Sequence, residues 1–242
     1  MEENRTEVLR LWQGGPLFRQ AGHARLTTDA VLLADFARVN AGECGADLGC
    51  ASGVLMLLLL WREESLRMTG FELLQDAAEL AGENLRLNSL DARAEVLPGD
   101  MRNTVKLRRS GEYDFVIANP PYFTLGGGAS TPDSGRAVAR EERNCSLPEL
   151  CRVAARLCRS GGRCFFSYRP ERLREMMDTM ADFRLETKRL RFVHHSAGRT
   201  ASLVLVEGRR DGNPGLTVQP PLILFSEDGA ETEEYRRIYH RA

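Results

Sequence analysis

The stretch ADLGCASGVLMLLLLW, residues 46–61, decides how the rest of the chain is read. An apolar strand near Cys44–Leu48 runs into Asp47-x-Gly49-x-Ala51-x-Gly53, and an unbroken apolar run, Val54–Trp61, follows. Glycines at such a junction permit a tight turn and let a ligand approach the backbone. The run behind them exceeds strand length and reads as a buried helix, whose N-terminus offers unpaired N–H groups. The spacing departs from the G-x-G-x-x-G dinucleotide fingerprint, which argues against hydride transfer.

Outward from this turn, strand and helix alternate. TTDAVLLADFARV (27–39) reads as a helix capped by Thr28 or Asp29. LRMTGFEL (66–73) is a second strand, QDAAELAGENLRLNSL (75–90) an amphipathic helix, ARAEVLPGD (92–100) a third strand and YDFVIANPPY (113–122) a fourth. LPELCRVAARLC (147–158) and ERLREMMDTMADF (171–183) are helices around a fifth strand, GGRCFFSYRP (161–170). RLETKRLRFVH (184–194) and ASLVLVEG (201–208) close the series as a strand pair. The rhythm predicts an α/β, Rossmann-like, seven-stranded sheet, mostly parallel with the last strand antiparallel, and helices on both faces. One domain spans 1–242: a leading segment 1–40, a core 41–210, and an extension 211–242. The extension adds a short edge strand and EEYRRIYHRA (233–242), which reads as a docking helix, a dimer contact or a loose end.

Composition narrows the class. The start, MEENRTEVLRLW, lacks the basic and apolar regions of a signal peptide, and the longest apolar run is far shorter than the roughly 20 residues that span a bilayer. A soluble cytoplasmic protein is expected, with no membrane contact. Six cysteines without a C-x-x-C pair and four histidines without paired spacing predict no metal site and no disulfide framework. The net charge of -1 hides a partition. Residues 1–135 hold 13 basic against 19 acidic side chains, and residues 136–210 hold 17 against 9. Such a basic segment suits a polyanion, although charge runs are commonly only solvated helix faces.

Three strand ends carry acids: Asp47, Glu72 about 20 residues after the turn, and Asp100, followed by Met101. Each alone reads as a solvated loop residue. Their recurrence on one sheet edge, where ligands of open α/β sheets bind, gives them meaning. Glu72 is placed to bind ribose hydroxyls, Asp100 to accept from an adenine amine, and Met101 to pack on its ring. The fourth strand then ends in Asn119-Pro120-Pro121-Tyr122. Two prolines by themselves only terminate a strand. Beside a ligand turn they also present an amide oxygen, a backbone carbonyl and an aromatic ring to one substrate group.

On these residues the chain resembles the class I S-adenosylmethionine-dependent methyltransferases, with Ala51 replacing the middle glycine of their D-x-G-x-G-x-G turn. The resemblance implies S-adenosyl-L-methionine as cofactor, held by Arg25, Thr28, Asp47, Gly49, Cys50, Ala51, Gly53, Glu72, Leu73, Asp100, Met101 and Asn119. Arg25 and Thr28 fall near its methionine carboxylate. Asn119-Pro120-Pro121-Tyr122 resembles the signature of enzymes that methylate a conjugated amine. It implies that Asn119 Oδ1 and the Pro120 carbonyl accept the two amine hydrogens while Tyr122 stacks on the base.

Most of the chain is similar to the bacterial tRNA(Val) adenine-N6 methyltransferases, through FRQAGHARLTTDAVLLADF, IANPPYF, TPDSGRAVAREE and RFVHHSAGRTASLVLVEG. The implied substrate is structured RNA, tRNA near the anticodon first. Its phosphates and splayed bases then fall to Arg136, Arg140, Arg143, Lys188, Arg189, Arg191, His194, His195 and Arg199. Other readings stay open: a protein glutamine N5-methyltransferase, an rRNA adenine-N6 methyltransferase, or a non-catalytic RNA-binding assembly factor. Only a short segment precedes the first strand, which disfavours the glutamine enzymes and their leading helical domain. Monomer and homodimer are both compatible with the sequence.

Overall fold

Central strands buried along nearly their whole length, such as Arg67–Glu72 and Tyr113–Ala118, and helices packed on both of their faces make a three-layer sandwich. The computed structural model describes residues 7–21, 25–104, 108–120 and 145–241. It opens with a hairpin absent from the sequence-based expectation, β1 (Glu7–Arg10) and β2 (Leu17–Gln20), paired antiparallel. Helix α1 (Thr28–Phe36) follows, and its cap is Thr27, not Thr28 or Asp29. Thr27 is the last extended residue, and its hydroxyl accepts from Ala30 N; Thr28 is already helical, and Asp29 supplies favourable first-turn charge.

The core then runs β3 (Cys44–Leu48), α2 (Val54–Arg62), β4 (Arg67–Glu72), α3 (Gln75–Leu87), β5 (Ala94–Pro98), the short α4 (Met101–Thr104) and β6 (Tyr113–Ala118). After it come α5 (Leu147–Leu157), β7 (Cys158–Tyr168), α6 (Leu173–Asp182), β8 (Leu185–His194), β9 (Ala201–Arg210), β10 (Thr217–Val218), β11 (Leu222–Ile223) and α7 (Glu233–Ile238). The sheet order is β10-β8-β9-β7-β6-β3-β4-β5, with β11 also on β8, so the sheet has nine strands where seven were expected. The two additions are two-residue strands from the C-terminal extension, lying parallel on the outer edge of β8. β9 alone runs antiparallel, inserted between β7 and β8. The antiparallel strand is therefore the last long one, not the last in the chain.

Both faces are covered. Phe115, Ile117 and Phe165 pack with α1 and α2 on one side, while Val116, Ala118 and Phe166 pack with α5 and α6 on the other, as the two-residue strand period requires. α5 starts sharply because Ser146 and Glu149 form a reciprocal capping box. The extension docks back: Tyr235 and Ile238 of α7 are buried against the α1 face, Arg237 lies 3.6 Å from Asp35, and His240 stacks on Trp12 at 4.1 Å. Of the three readings of the tail, the docking helix is the one described. From β3 the chain winds outward to β4 and β5, then crosses back to β6 on the other side of β3. Loops leaving β3 and β6 therefore diverge and open a crevice at their carboxyl ends.

Candidate active site

The crevice floor is the turn between β3 and α2. Gly49, Ala51 and Gly53 all have left-handed backbone, with φ of 73°, 47° and 79°. Gly49 N and Cys50 N both donate to the Phe71 carbonyl of β4, at 2.8 and 3.1 Å, which ties the turn to the next strand. At Gly53 a β-carbon would come within 3.1 Å of Ala81 Cβ, so this glycine also permits close packing of α3. Ala51 holds its conformation despite a left-handed cost of about 1–2 kcal/mol for a residue with a β-carbon. Its N–H donates to Glu72 Oε2 at 2.8 Å, and Leu74 N donates to Glu72 Oε1 at 2.9 Å. Each Glu72 oxygen thus accepts one backbone hydrogen and keeps a lone pair for a ligand hydroxyl.

Beneath this turn Asp47 is fully buried, and neither carboxylate oxygen has a hydrogen-bond partner among the described residues. Burial first, then the nearby charge of Glu72, pushes its pKa well above the ordinary carboxylate range. The same causes, with Asp47 added, raise the Cys50 thiol. A ligand bearing an ammonium and a sulfonium suits this pair of acids, because positive charge offsets their repulsion and their desolvation.

At the end of β5, Asp100 lines the crevice and is held by Arg102. Arg102 N and Nε donate to Oδ1, each at 2.9 Å, and its Nη2 donates to Oδ2 at 2.6 Å. Nη1 of the same arginine reaches Glu149 Oε1 at 3.0 Å, joining Asp100 to the α5 capping box. The hydrogen bonds from both partners push the Arg102 pKa up. Asp100 thereby anchors the α4 and α5 starts while Met101 remains free to line the crevice.

Opposite the turn, β6 delivers Asn119 and Pro120. The hydroxyl of Ser167, fully buried on β7, donates to Asn119 Oδ1. This partner was missed in the sequence, where a serine inside CFFSY gives no sign of its cross-strand neighbour. A cavity of about 360 Å³ joins both sides. Arg25, Thr27, Gly49, Cys50, Ala51, Glu72, Leu73, Asp100, Met101, Asn119 and Pro120 all line it, with apolar walls from Leu48, Val54, Leu55 and Leu150. Its size and its mixed lining match small-molecule sites. Thr28 does not line it and instead meets the Tyr239 hydroxyl. A groove of about 470 Å³ between α3 and β5 and a hollow of about 320 Å³ beneath Trp12 and Tyr239 involve none of the expected site residues.

Pro121, Tyr122, Arg136, Arg140 and Arg143 lie outside the described residues. The other expected RNA contacts divide. Arg189 is buried, donates to Glu207 at 2.7 Å, Gln219 at 3.1 Å and the Phe36 carbonyl at 2.8 Å, and stacks on the Phe36 ring at 3.7 Å. It bolts the sheet to α1 and is not an RNA contact. Arg191 is paired with Glu234 of α7 at 2.8 Å, and Lys188 donates to the Asn213 carbonyl at 3.0 Å. His194 Nδ1 meets the Arg199 carbonyl at 2.7 Å, within the turn after β8. His195 and Arg199 are exposed on that turn. Because β8 runs parallel to β3 and β6, the turn occupies the same sheet edge as the cavity. Among the described residues no cluster suited to a metal occurs, and no helix is long and apolar enough to cross a membrane.

Known proteins share this fold. The family described as "Methyltransferase small domain" matches residues 22–138. A structure of a "predicted O-methyltransferase" from Agrobacterium tumefaciens superposes with a TM-score of 0.72 at 25% identity, over 89% of this chain and 97% of that one. Geranyl diphosphate C-methyltransferase from Streptomyces coelicolor A3(2), solved with S-adenosyl-L-homocysteine, shares the fold at a TM-score of 0.54 and 17% identity, over 75% of this chain and 78% of that one. With the switch-point crevice and the turn that floors it, these place the chain among the class I S-adenosylmethionine-dependent methyltransferases. The tRNA1(Val) (adenine(37)-N6)-methyltransferase of Aeromonas hydrophila subsp. hydrophila is 27% identical over 212 residues, 87% of this chain and 86% of that one. Within the class, the chain is similar over most of its length to the bacterial tRNA(Val) adenine-N6 methyltransferases.

Proposed function

We propose that the protein methylates N6 of an adenine in structured RNA, with tRNA near the anticodon as the first candidate. One observation carries the reading: Asn119 and Pro120 line the same cavity as Gly49, Ala51 and Glu72, so an amine acceptor pair faces a cofactor-type turn. S-adenosyl-L-methionine, when bound, supplies a methyl group made electrophilic by its sulfonium. Glu72 binds the ribose hydroxyls through its remaining lone pairs, and Asp47 offsets positive charge from below.

An exocyclic adenine amine is a poor nucleophile because its lone pair is delocalised into the ring. Asn119 Oδ1 and the Pro120 carbonyl accept its two hydrogens, which favours a tetrahedral nitrogen and returns the pair to it. The nitrogen so freed would be the nucleophile for the methyl group that a bound S-adenosyl-L-methionine would supply, with the thioether sulfur as leaving group. The product nitrogen releases its extra proton to solvent, so no strong base is required. Tyr122 is assigned to stack on the flipped base, and His195 and Arg199, on the same sheet edge as the cavity, to the RNA.

The test is incubation with methyl-labelled S-adenosylmethionine and unmodified tRNA, rRNA or release factor, followed by nucleoside and peptide analysis. N6-methyladenosine in tRNA is expected. Label confined to rRNA adenine or to glutamine would move the assignment to that substrate, and no label in any of them would favour an RNA-binding assembly factor.

A further inference from the structure

A pair of asparagines, Asn84 on α3 and Asn88 at its C-cap, does something that the catalytic assignment leaves unexplained. Asn84, fully buried, accepts at Oδ1 from Arg19 N at 2.6 Å, and its Nδ2 donates to the Arg19 carbonyl and the Ser52 carbonyl, both at 2.9 Å. One turn later, Asn88 Oδ1 accepts from Leu17 N at 2.8 Å, and its Nδ2 donates to the Leu17 carbonyl at 2.7 Å. Four helical residues advance about 6 Å and two strand residues about 6.8 Å, so this spacing lets the two amides act as a surrogate strand along the open edge of β2. Phe18 between them is buried in the core.

The two asparagines differ in one respect. Asn88 touches the hairpin and its own helix, whereas Asn84 also holds the carbonyl of Ser52, between Ala51 and Gly53 in the cavity floor. Ser52 itself is buried and lines the cavity. Arg25 and Thr27 line the same cavity, and Leu26 N, between them, donates to Gln20 Oε1 of the hairpin at 3.2 Å. A single amide therefore ties the floor of the cavity to the strand whose Gln20 holds the Arg25–Thr27 lining.

We infer that Asn84 is a positioning residue for the cofactor, coupling the N-terminal hairpin to the left-handed turn through Arg19 and Ser52. The inference rests on the methyltransferase reading and concerns affinity, not the amine chemistry. Losing the amide leaves a buried carbonyl without its donor and releases the turn and the hairpin together. Calorimetric titration with S-adenosyl-L-homocysteine tests it in the full chain. Asn84→Ala is expected to weaken binding by about tenfold or more, whereas Asn88→Ala, which loosens only the hairpin, stays within about threefold of wild type. Equal binding by wild type and Asn84→Ala overturns the inference, and so does an equal loss in Asn88→Ala, which would assign the effect to the hairpin alone.

Hydrogen exchange on the wild-type chain covers the case in which Asn84→Ala does not fold. Added S-adenosyl-L-homocysteine should raise protection at 17–20 together with 49–55, and protection confined to 49–55 overturns the coupling. A wild-type chain that binds no S-adenosyl-L-homocysteine removes the methyltransferase reading and this inference with it; binding without the Asn84 effect removes the inference alone.

Discussion

The floor and the amine-facing wall of the cavity are built on different principles. On the floor, Glu72 is clasped by two backbone amides, Ala51 N and Leu74 N, and the turn is tied again to Phe71 O. On the wall, Asn119 is a side-chain amide whose oxygen receives a side-chain hydroxyl, that of Ser167. Backbone donors cannot swing away, so the floor is preorganised for a ligand. An amide rotates about its terminal torsion unless something holds it, so the wall depends on single side chains. Affinity and turnover should therefore separate cleanly by mutation.

The largest effect is expected at the wall. Asn119→Ala should lower methyl transfer by about a hundredfold or more, the scale of losing one preorganised partner of a reacting group. Its affinity for S-adenosyl-L-homocysteine should stay within about twofold, since the floor is untouched; a parallel loss of affinity would break the separation.

Ser167→Ala comes next. It frees the Asn119 amide without removing it, and kcat should fall by about tenfold, equivalent to roughly one buried hydrogen bond. Ser167→Thr should recover part of that loss, and cofactor affinity should be unchanged in both.

The floor is sharpened by Asp47→Asn. A carboxyl whose folded pKa is raised favours the folded state only while protonated. That contribution is fully present below about pH 4 and is lost as pH rises toward the raised folded value. The substitution should therefore increase the thermal midpoint of the ligand-free chain more at pH 8 than at pH 5, and at the same time weaken cofactor binding. A pH-independent change would show that Asp47 is not the titrating group. The smallest effect is expected from Ala51→Gly. Relief of the left-handed strain and the added unfolded-state entropy nearly offset, leaving a net change of about 1 kcal/mol or less, readable by denaturant titration.

The parts legible in the sequence are those set by local pattern. The turn Gly49–Gly53 sits between a short apolar strand and an apolar helix, and Asn119-Pro120 ends a strand abruptly, so the crevice can be placed from neighbours in the chain. What escaped depends on partners far away. The β1–β2 hairpin reads as a polar start because its open edge is satisfied by Asn84 and Asn88, on a helix later in the chain. Arg189 reads as surface charge because nothing local announces Glu207 or the ring of Phe36. The pairing of Asp100 with Arg102, only two residues on, is not legible either, since sequence spacing does not reveal which way a guanidinium folds. The β10 and β11 pairings, two residues each, are too short for periodicity to register.

The stack of Trp12 on His240 brings residues near the two ends of the chain into contact. Trp61, the second of the two tryptophans, lines the same hollow. Indole emission in this protein is consequently a signal of end-to-end closure: it should shift when the C-terminal helix lifts off, even while the central sheet, which carries no tryptophan, remains folded. Peeling of the tail and melting of the sheet can thus be followed as separate optical events, the first by fluorescence and the second by far-ultraviolet dichroism.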